Sequence, residues 1–184
     1  MNRLVLVLLL SLLLVGCASV SVEDYRDDSP ELVLEEYFDG ELIAHGLFVD
    51  RFGRVQRRFV VTIDAWWEGN VGTLDEKFYY DDGTTDRRVW TLRRLPDGTY
   101  NARAADVAGV GKAEVAGNAM RLRYTLMQPI GGRTFNVSMD DWMHLVDEDT
   151  LINRARMSWY GITFGHVTVQ FQRVDSGNGE SPAR

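Results

Sequence analysis

From Glu41 onward the chain alternates apolar and polar positions in short runs, and no run keeps the 3.6-residue period of a long helix. Turn signals punctuate the runs: Phe52-Gly53, Gly69-Asn70, Asp82-Gly83, Asp97-Gly98, Gly117-Asn118, Gly131-Gly132, Asp147-Glu148-Asp149 and Gly161. Short strands at such spacing predict an all-β fold. About nine or ten strands joined only by hairpins predict an up-and-down antiparallel barrel of the calycin or lipocalin kind. Before the first strand, Ser29-Pro30 offers an N-cap followed by a proline at the first helical position, so a short helix is predicted over residues 31–38.

Turn chemistry fixes which face of each strand is buried, because a slip of one residue inverts a strand. Phe59, Val61, Ile63, Ala65 and Trp67 form one apolar face, and Leu74, Glu76, Phe78 and Tyr80 form the matching one. A two-residue Gly69-Asn70 turn pairs Glu68 with Val71, Ala65 with Leu74 and Val61 with Phe78. A three-residue Asp81-Asp82-Gly83 loop pairs Tyr80 with Thr84, Glu76 with Arg88 and Leu74 with Trp90. The two-residue alternative buries Val89 and Thr91 instead of Trp90 and Leu92, which is a poorer core. Pro96-Asp97-Gly98 repeats the device, pairing Leu92 with Ala102 and Arg88 with Asp106. Gly117-Asn118 pairs Val115 with Met120 and Gly111 with Tyr124. Asp147-Glu148-Asp149 pairs Leu145 with Leu151, Val137 with Trp159 and Asp141 with Ala155.

The parity that buries Leu74, Phe78, Trp90 and Leu92 also turns Glu76, Arg88 and Asp106 inward, in one row across three strands. Asp141 faces inward from another strand. Unpaired charge in an apolar interior costs several kcal/mol, so these groups are expected to be paired or wet. They read as a polar anchor in which Arg88 clamps a ligand carboxylate or phosphate. The competing reading is an ion-pair network that fixes register. Asp140 and Asp141 cannot act as a carboxylate pair, because successive strand residues point to opposite faces. Trp66, Trp67, Trp90, Trp142 and Trp159 are either cavity lining or core filling, and adjacent Trp66 and Trp67 cannot both face inward. His45, His144 and His166 lack ligand spacing, so neither a metal nor another cofactor is expected. No nucleophile elbow, phosphate loop or metalloprotease helix motif occurs. Gly109-Val110-Gly111 is too short for a nucleotide fingerprint and reads as room for Tyr124 across the hairpin.

The N-terminus sets the compartment. Met1-Asn2-Arg3 is a short positive region, followed by a 12-residue apolar run over 4–15, broken only by Ser11. That is short for a membrane span of about 20 residues and fits a secretory signal. It ends in Leu14-Val15-Gly16-Cys17, a bacterial lipobox, where the thiol of Cys17 receives a diacylglyceryl group. Ala18 in place of Asp points to the outer membrane, on its periplasmic face. Residues 1–16 are thus expected to be a signal peptide, 17–29 a lipidated tether, 30–174 one β domain and 175–184 a disordered tail. A net charge of −7 argues against nucleic acid as a partner. A single Cys excludes a disulfide framework.

Several strings are distinctive in order: Phe38-Asp39-Gly40, Leu74-Asp75-Glu76-Lys77-Phe78, Arg88-Val89-Trp90, Asp106-Val107-Ala108-Gly109, Gly117-Asn118-Ala119, Asp140-Asp141-Trp142-Met143 and Asn153-Arg154. Behind a lipobox, they resemble the proteobacterial lipoprotein family called domain of unknown function 3833. The resemblance spans roughly residues 34–174 and implies a lipoprotein with a compact β domain, without assigning a catalytic residue. Similar proteins are associated with cyclopropane-fatty-acyl synthase-like enzymes, which implies a link to lipid metabolism. The expected function is binding or carriage of a small hydrophobic ligand, a fatty acid or lipid. Arg88 would hold its headgroup with Glu76 and Asp106 beside it, and Trp90, Tyr124 and Asp141 nearby. The alternatives are a filled barrel with a structural role in the envelope, and an accessory enzyme of lipid modification.

Overall fold

Ten antiparallel strands close into one barrel in which each strand pairs with its sequence neighbours and the first pairs with the last. They are β1 (Gly40–Asp50), β2 (Val55–Glu68), β3 (Val71–Tyr80), β4 (Thr85–Arg94), β5 (Tyr100–Arg103), β6 (Gly111–Ala116), β7 (Ala119–Ile130), β8 (Arg133–Leu145), β9 (Thr150–Trp159) and β10 (Ile162–Arg173). The computed structural model describes residues 19–174. The apolar run 4–15, the lipobox with Cys17 and the tail 175–184 lie outside the described residues.

The registers follow from the turns. Glu68 pairs with Val71, Ala65 with Leu74 and Val61 with Phe78. Glu76 pairs with Arg88 and Leu74 with Trp90, so the three-residue loop after Tyr80 is the one that forms. Leu92 lies opposite Ala102, Val115 opposite Met120, and Asp141 opposite Ala155. Two details differ from expectation. β5 stops at Arg103, because Val107 bridges to Leu126 and the Asp106 carbonyl accepts from Met127 N at 2.7 Å, which draws the chain across to β7. Asp106 therefore stands in the loop 104–110 and not in a ladder. The β8–β9 ladder runs only to Ser138–Ser158, and Trp159 instead pairs with Ile162 across the tight Tyr160-Gly161 turn. Val137 and Trp159 are consequently not partners.

One end of the barrel is capped by residues 19–39. Val22–Tyr25 form a 3-10 turn whose Val22 packs on Ala116 and Ala119, while Tyr25 meets Trp142 and His144 edge-on. This stretch was expected to be tether only. It is docked because its Val22 and Tyr25 cover the outer ends of β6–β8. The predicted helix over 31–38 is a single turn, α1 (Leu34–Tyr37). Leu32 and Leu34 are both buried, a period of two, and Leu32 N donates to the Gly117 carbonyl at 2.8 Å, so residues before Leu34 are extended. Gly117 must be glycine here, since a Cβ would lie 1.7 Å from the Tyr25 carbonyl oxygen. Inside the end of the barrel, Leu34, Tyr37 and Phe38 form one core cluster with Leu42, Ile63, Leu151 and Phe171. Tyr37 Oη donates to the Asp149 carbonyl at 3.0 Å, and Trp67 Nε1 donates to the Phe38 carbonyl at 3.0 Å. Burial of the cap thus comes with its polar groups satisfied, which is the condition for it to be stabilising.

Candidate functional site

Above the cap, the interior is not filled. A cavity of about 530 Å³ runs from the capped half of the barrel to the opposite end, which is open between the hairpin tips. That size is in the range of small-molecule sites. Its wall is mostly apolar: Phe59, Phe78, Leu126, Val137, Met139 and Met157 project from five different strands. Polar side chains gather deeper, where Glu76, Arg88, Tyr124, Asp141 and Asn153 line the same space. Strand alternation accounts for this grouping. Glu76 follows Leu74, Arg88 precedes Trp90, Tyr124 follows Leu122, and Asp141 lies between Met139 and Met143, each two residues from a buried apolar neighbour.

Arg88 is the single cation of the group. Its Nε and Nη2 donate to Asp106 Oδ2 at 2.9 and 2.6 Å, a forked charge-assisted pair. Asp106 thus reaches Arg88 by its side chain, although the backbone register does not carry it there. The guanidinium carbon lies 5.6 Å from the Phe78 ring centre and 5.7 Å from that of Trp90, so aromatic faces hold it on two sides. Trp90 in turn meets the Tyr124 ring edge-on, with centroids 5.2 Å apart. Tyr124 can approach because residue 111 is glycine, where a Cβ would come within 3.0 Å of the Tyr124 Cβ.

The two inward acids are in a different state from surface carboxylates. Burial pushes the Glu76 carboxyl up to about 7, with Arg88 opposing the rise. Burial likewise pushes Asp141 up to about 7, again against Arg88. Burial also raises the Tyr124 hydroxyl well above its usual range. Asp141 Oδ1 is buried and has no hydrogen-bond partner among the described residues. An orphaned buried oxygen is uncommon in folded proteins; Asn118 Oδ1 is the other among the described residues, and of the two only Asp141 lines the cavity. Near neutral pH the cavity therefore offers two partly protonated carboxyls, the Arg88 guanidinium and the Asn153 amide in its depth, with Gln56, Arg57 and Gln128 also on its lining and a long apolar wall between.

Asp140 shows the contrast that strand parity demands. It faces outward and accepts from Arg121 Nε at 2.7 Å and Arg156 Nη2 at 2.7 Å. Of the five tryptophans only Trp90 lines the cavity. Trp67 closes the capped end, Trp66 is outside, Trp142 covers the outer wall beside Tyr25, and Trp159 stands at the open rim. His144 stacks on Trp142 as part of the cap's seat. Among the described residues, no three His, Cys, Asp or Glu side chains converge as a metal site. Asn153, Met139, Met157 and Phe164 were missed as lining residues. Asn153 was within reach, because Asp141 opposite Ala155 places Asn153 inward two positions away.

A closed, ten-stranded up-and-down barrel with an internal cavity and a buried polar cluster defines a calycin-like protein. Residues 11–173 match the family model described as protein of unknown function (DUF3833), and the chain belongs to that family. No curated protein matches the chain.

Proposed function

We propose that this protein is a lipid-anchored protein of the bacterial periplasm that binds or carries a fatty acid or lipid inside its barrel. Support for the cargo comes from the cavity: an apolar wall open at one end, leading to a buried polar cluster in which Asp141 Oδ1 lacks a partner. An amphipathic molecule meets both halves of that description. Its chain replaces water along Phe59, Leu126, Met139 and Met157, and its head accepts from the Asp141 and Glu76 carboxyls. Arg88 Nη1, which is not used on Asp106, faces a carboxylate or phosphate head. Support for the anchor comes from the sequence, where the only Cys follows the apolar run 4–15. One acyl chain gives marginal membrane binding, and several give stable anchoring.

The test is native mass spectrometry of the protein purified from its own envelope, followed by solvent extraction. The expected result is a stoichiometric fatty acid or lipid, absent from Arg88→Ala and from a cavity-filling Met139→Trp. A clean apo mass, with no uptake from a total lipid extract, overturns the carrier reading and leaves a structural role in the envelope. The raised Asp141 carboxyl favours one further reading, a general acid acting on the bound lipid. In that case the supplied lipid changes mass on incubation, and Asp141→Asn binds it without changing it.

A further inference from the structure

The two ends of the barrel differ in charge and in surface chemistry. The cap, residues 19–39, carries eight acids and one arginine. Five connections lie at the open end: the tips of four hairpins, β1–β2, β3–β4, β7–β8 and β9–β10, and the β5–β6 loop 104–110, which is set lower, beside Leu126, and whose Asp106 is taken by Arg88. Three of the hairpin tips expose large apolar side chains to solvent. Phe52 is 73% exposed, Tyr160 87% and Ile162 66%, and Ile130 and Trp159 are exposed on the same tips; Tyr160 touches the rim edge-on through Trp159, at 4.8 Å between ring centres, and is otherwise turned to solvent. Ile130 also lines the cavity, so the exposed apolar ring is continuous with the interior wall.

The rim charges are sorted as well. Asp50 is turned into its own loop, accepting from Phe52 N at 2.9 Å, Arg54 N at 3.0 Å and Gln56 Nε2 at 2.6 Å. Asp81 and Asp82 are engaged by Arg58 and Arg57. Asp86, the remaining rim acid, pairs across from Phe78. Arg51, Arg54 and Arg133 form no ion pair among the described residues. Arg51 lies over the Phe52 ring at 4.7 Å. Tyr160 holds a φ of 45°, a left-handed conformation that is unfavourable for a residue with a Cβ. Glycine or asparagine fits that turn at lower cost, so an aromatic is kept there against the local preference.

We infer that the open rim docks on an anionic lipid surface, with Phe52, Ile130, Trp159, Tyr160 and Ile162 entering the interface and Arg51, Arg54 and Arg133 meeting lipid headgroups. Trp and Tyr favour the boundary between headgroups and acyl chains, and arginine extends its charge to the phosphates while its stem stays apolar. Separate projecting tips suit a deformable bilayer, whereas a protein partner would meet a continuous surface. Docked this way, the cavity opens directly into the bilayer, and a lipid enters without crossing water. The inference extends the carrier reading, which supplies the cargo, and the docking itself can fail while the cavity still binds lipid.

Geometry adds a constraint. The N-terminal segment leaves from the capped end, and Val22 is buried there. Four residues separate Cys17 from Val22, so the five residue steps reach at most roughly 18 Å. β7 has 12 residues, about 40 Å of strand before tilt. An anchor at Cys17 thus holds the cap towards one membrane and presents the rim to another.

The experiment reconstitutes the full chain through its N-terminus into vesicles of phosphatidylcholine, then adds acceptor vesicles whose acyl chains are brominated. Quenching of Trp159 is read as the difference between the parent and Trp159→Phe. Acceptors containing phosphatidylglycerol are expected to quench Trp159 and to co-sediment with the donors. The triple variant Arg51→Gln, Arg54→Gln, Arg133→Gln is expected to weaken this by roughly a hundredfold, since each arginine contributes about fivefold near an anionic surface. No quenching by anionic acceptors overturns the inference. Equal quenching by neutral and anionic acceptors, unchanged in the triple variant, overturns it too. Uptake of a fluorescent fatty acid from solution is measured on every variant. Its retention shows an intact barrel, and its loss in the parent is a failure of the carrier reading alone.

Discussion

At the capped end the strands surround a core made by the chain's own N-terminal segment; at the open end the same strands surround a cavity. Leu34, Tyr37 and Phe38 fill the first lumen, whereas Phe59, Met139 and Phe164 only line the second. The backbone ladders are continuous between the two regions, so hydrogen bonding of the sheet does not distinguish them. The difference lies in what meets the inward side chains. A packed end supplies stability, and an unpacked end leaves apolar surface and two acids of raised pKa available to something else.

The largest test of this contrast compares the same truncation at both ends. Phe38→Ala removes a 2% exposed ring from the packed core and is expected to cost about 3–5 kcal/mol. Phe164→Ala, at the cavity wall where open volume already exists, is expected to cost about 1 kcal/mol. Urea unfolding of both variants checks the ratio, and equal losses would break the division into a packed and a hollow half.

Next comes the pH dependence of the buried acids. The fold raises Asp141 to about 7, above its unfolded value, so the fold favours the neutral carboxyl. That stability is fully present below the unfolded pKa near 4 and fades as pH rises through about 7. Asp141→Asn should remove part of the slope between those limits. It should exceed the parent at pH 8 by roughly 2–4 kcal/mol. Unfolding midpoints measured from pH 4 to pH 8 read this directly, and a variant with the parental slope would show that Asp141 is already ionised in the fold.

Arg88→Met should cost less, about 2 kcal/mol, because Asp106 is partly open to solvent and the pair is not fully desolvated. It carries a sharper signature. Arg88 holds both Glu76 and Asp141 down, so its removal moves their titration upward and shifts the loss of stability to higher pH. The smallest effect is at the rim. Tyr160→Asn should stabilise by about 0.5–1 kcal/mol by relieving the left-handed turn, while diminishing vesicle capture. A destabilised Tyr160→Asn would mean that the ring packs on the barrel and is not held out for a partner.

Much of this contrast was legible in the sequence, and what was hidden shares a cause. Period-two alternation with Gly-Asn and Asp-Gly turns is enough to set strand parity, so Glu76, Arg88, Tyr124 and Asp141 could be placed inward and together. Parity says nothing about volume. Whether Phe59 and Met139 touch across the lumen depends on barrel circumference, which is a property of all ten strands at once. The cap differs from expectation because Ser29-Pro30 reads as a helix start, whereas the chain just after it is held extended by the bond from Leu32 N to the distant Gly117 carbonyl. Asp106 was placed correctly by side chain and wrongly by ladder, since a bridge from Val107 to Leu126 lies outside any hairpin rule.

The seam between β1 and β10 has a kinetic consequence. Leu42 lies beside Arg173, and Tyr37 Oη reaches the backbone of β10, so the ring and its cap are completed only by the last strand. Such distant pairings make folding slow compared with local hairpins. While β10 is still missing, β1 and β9 are both unpaired edges, open to other chains. A chain delivered N-terminus first therefore needs protection until its final strand arrives, and a cut before Ile162 disables the whole ring at once.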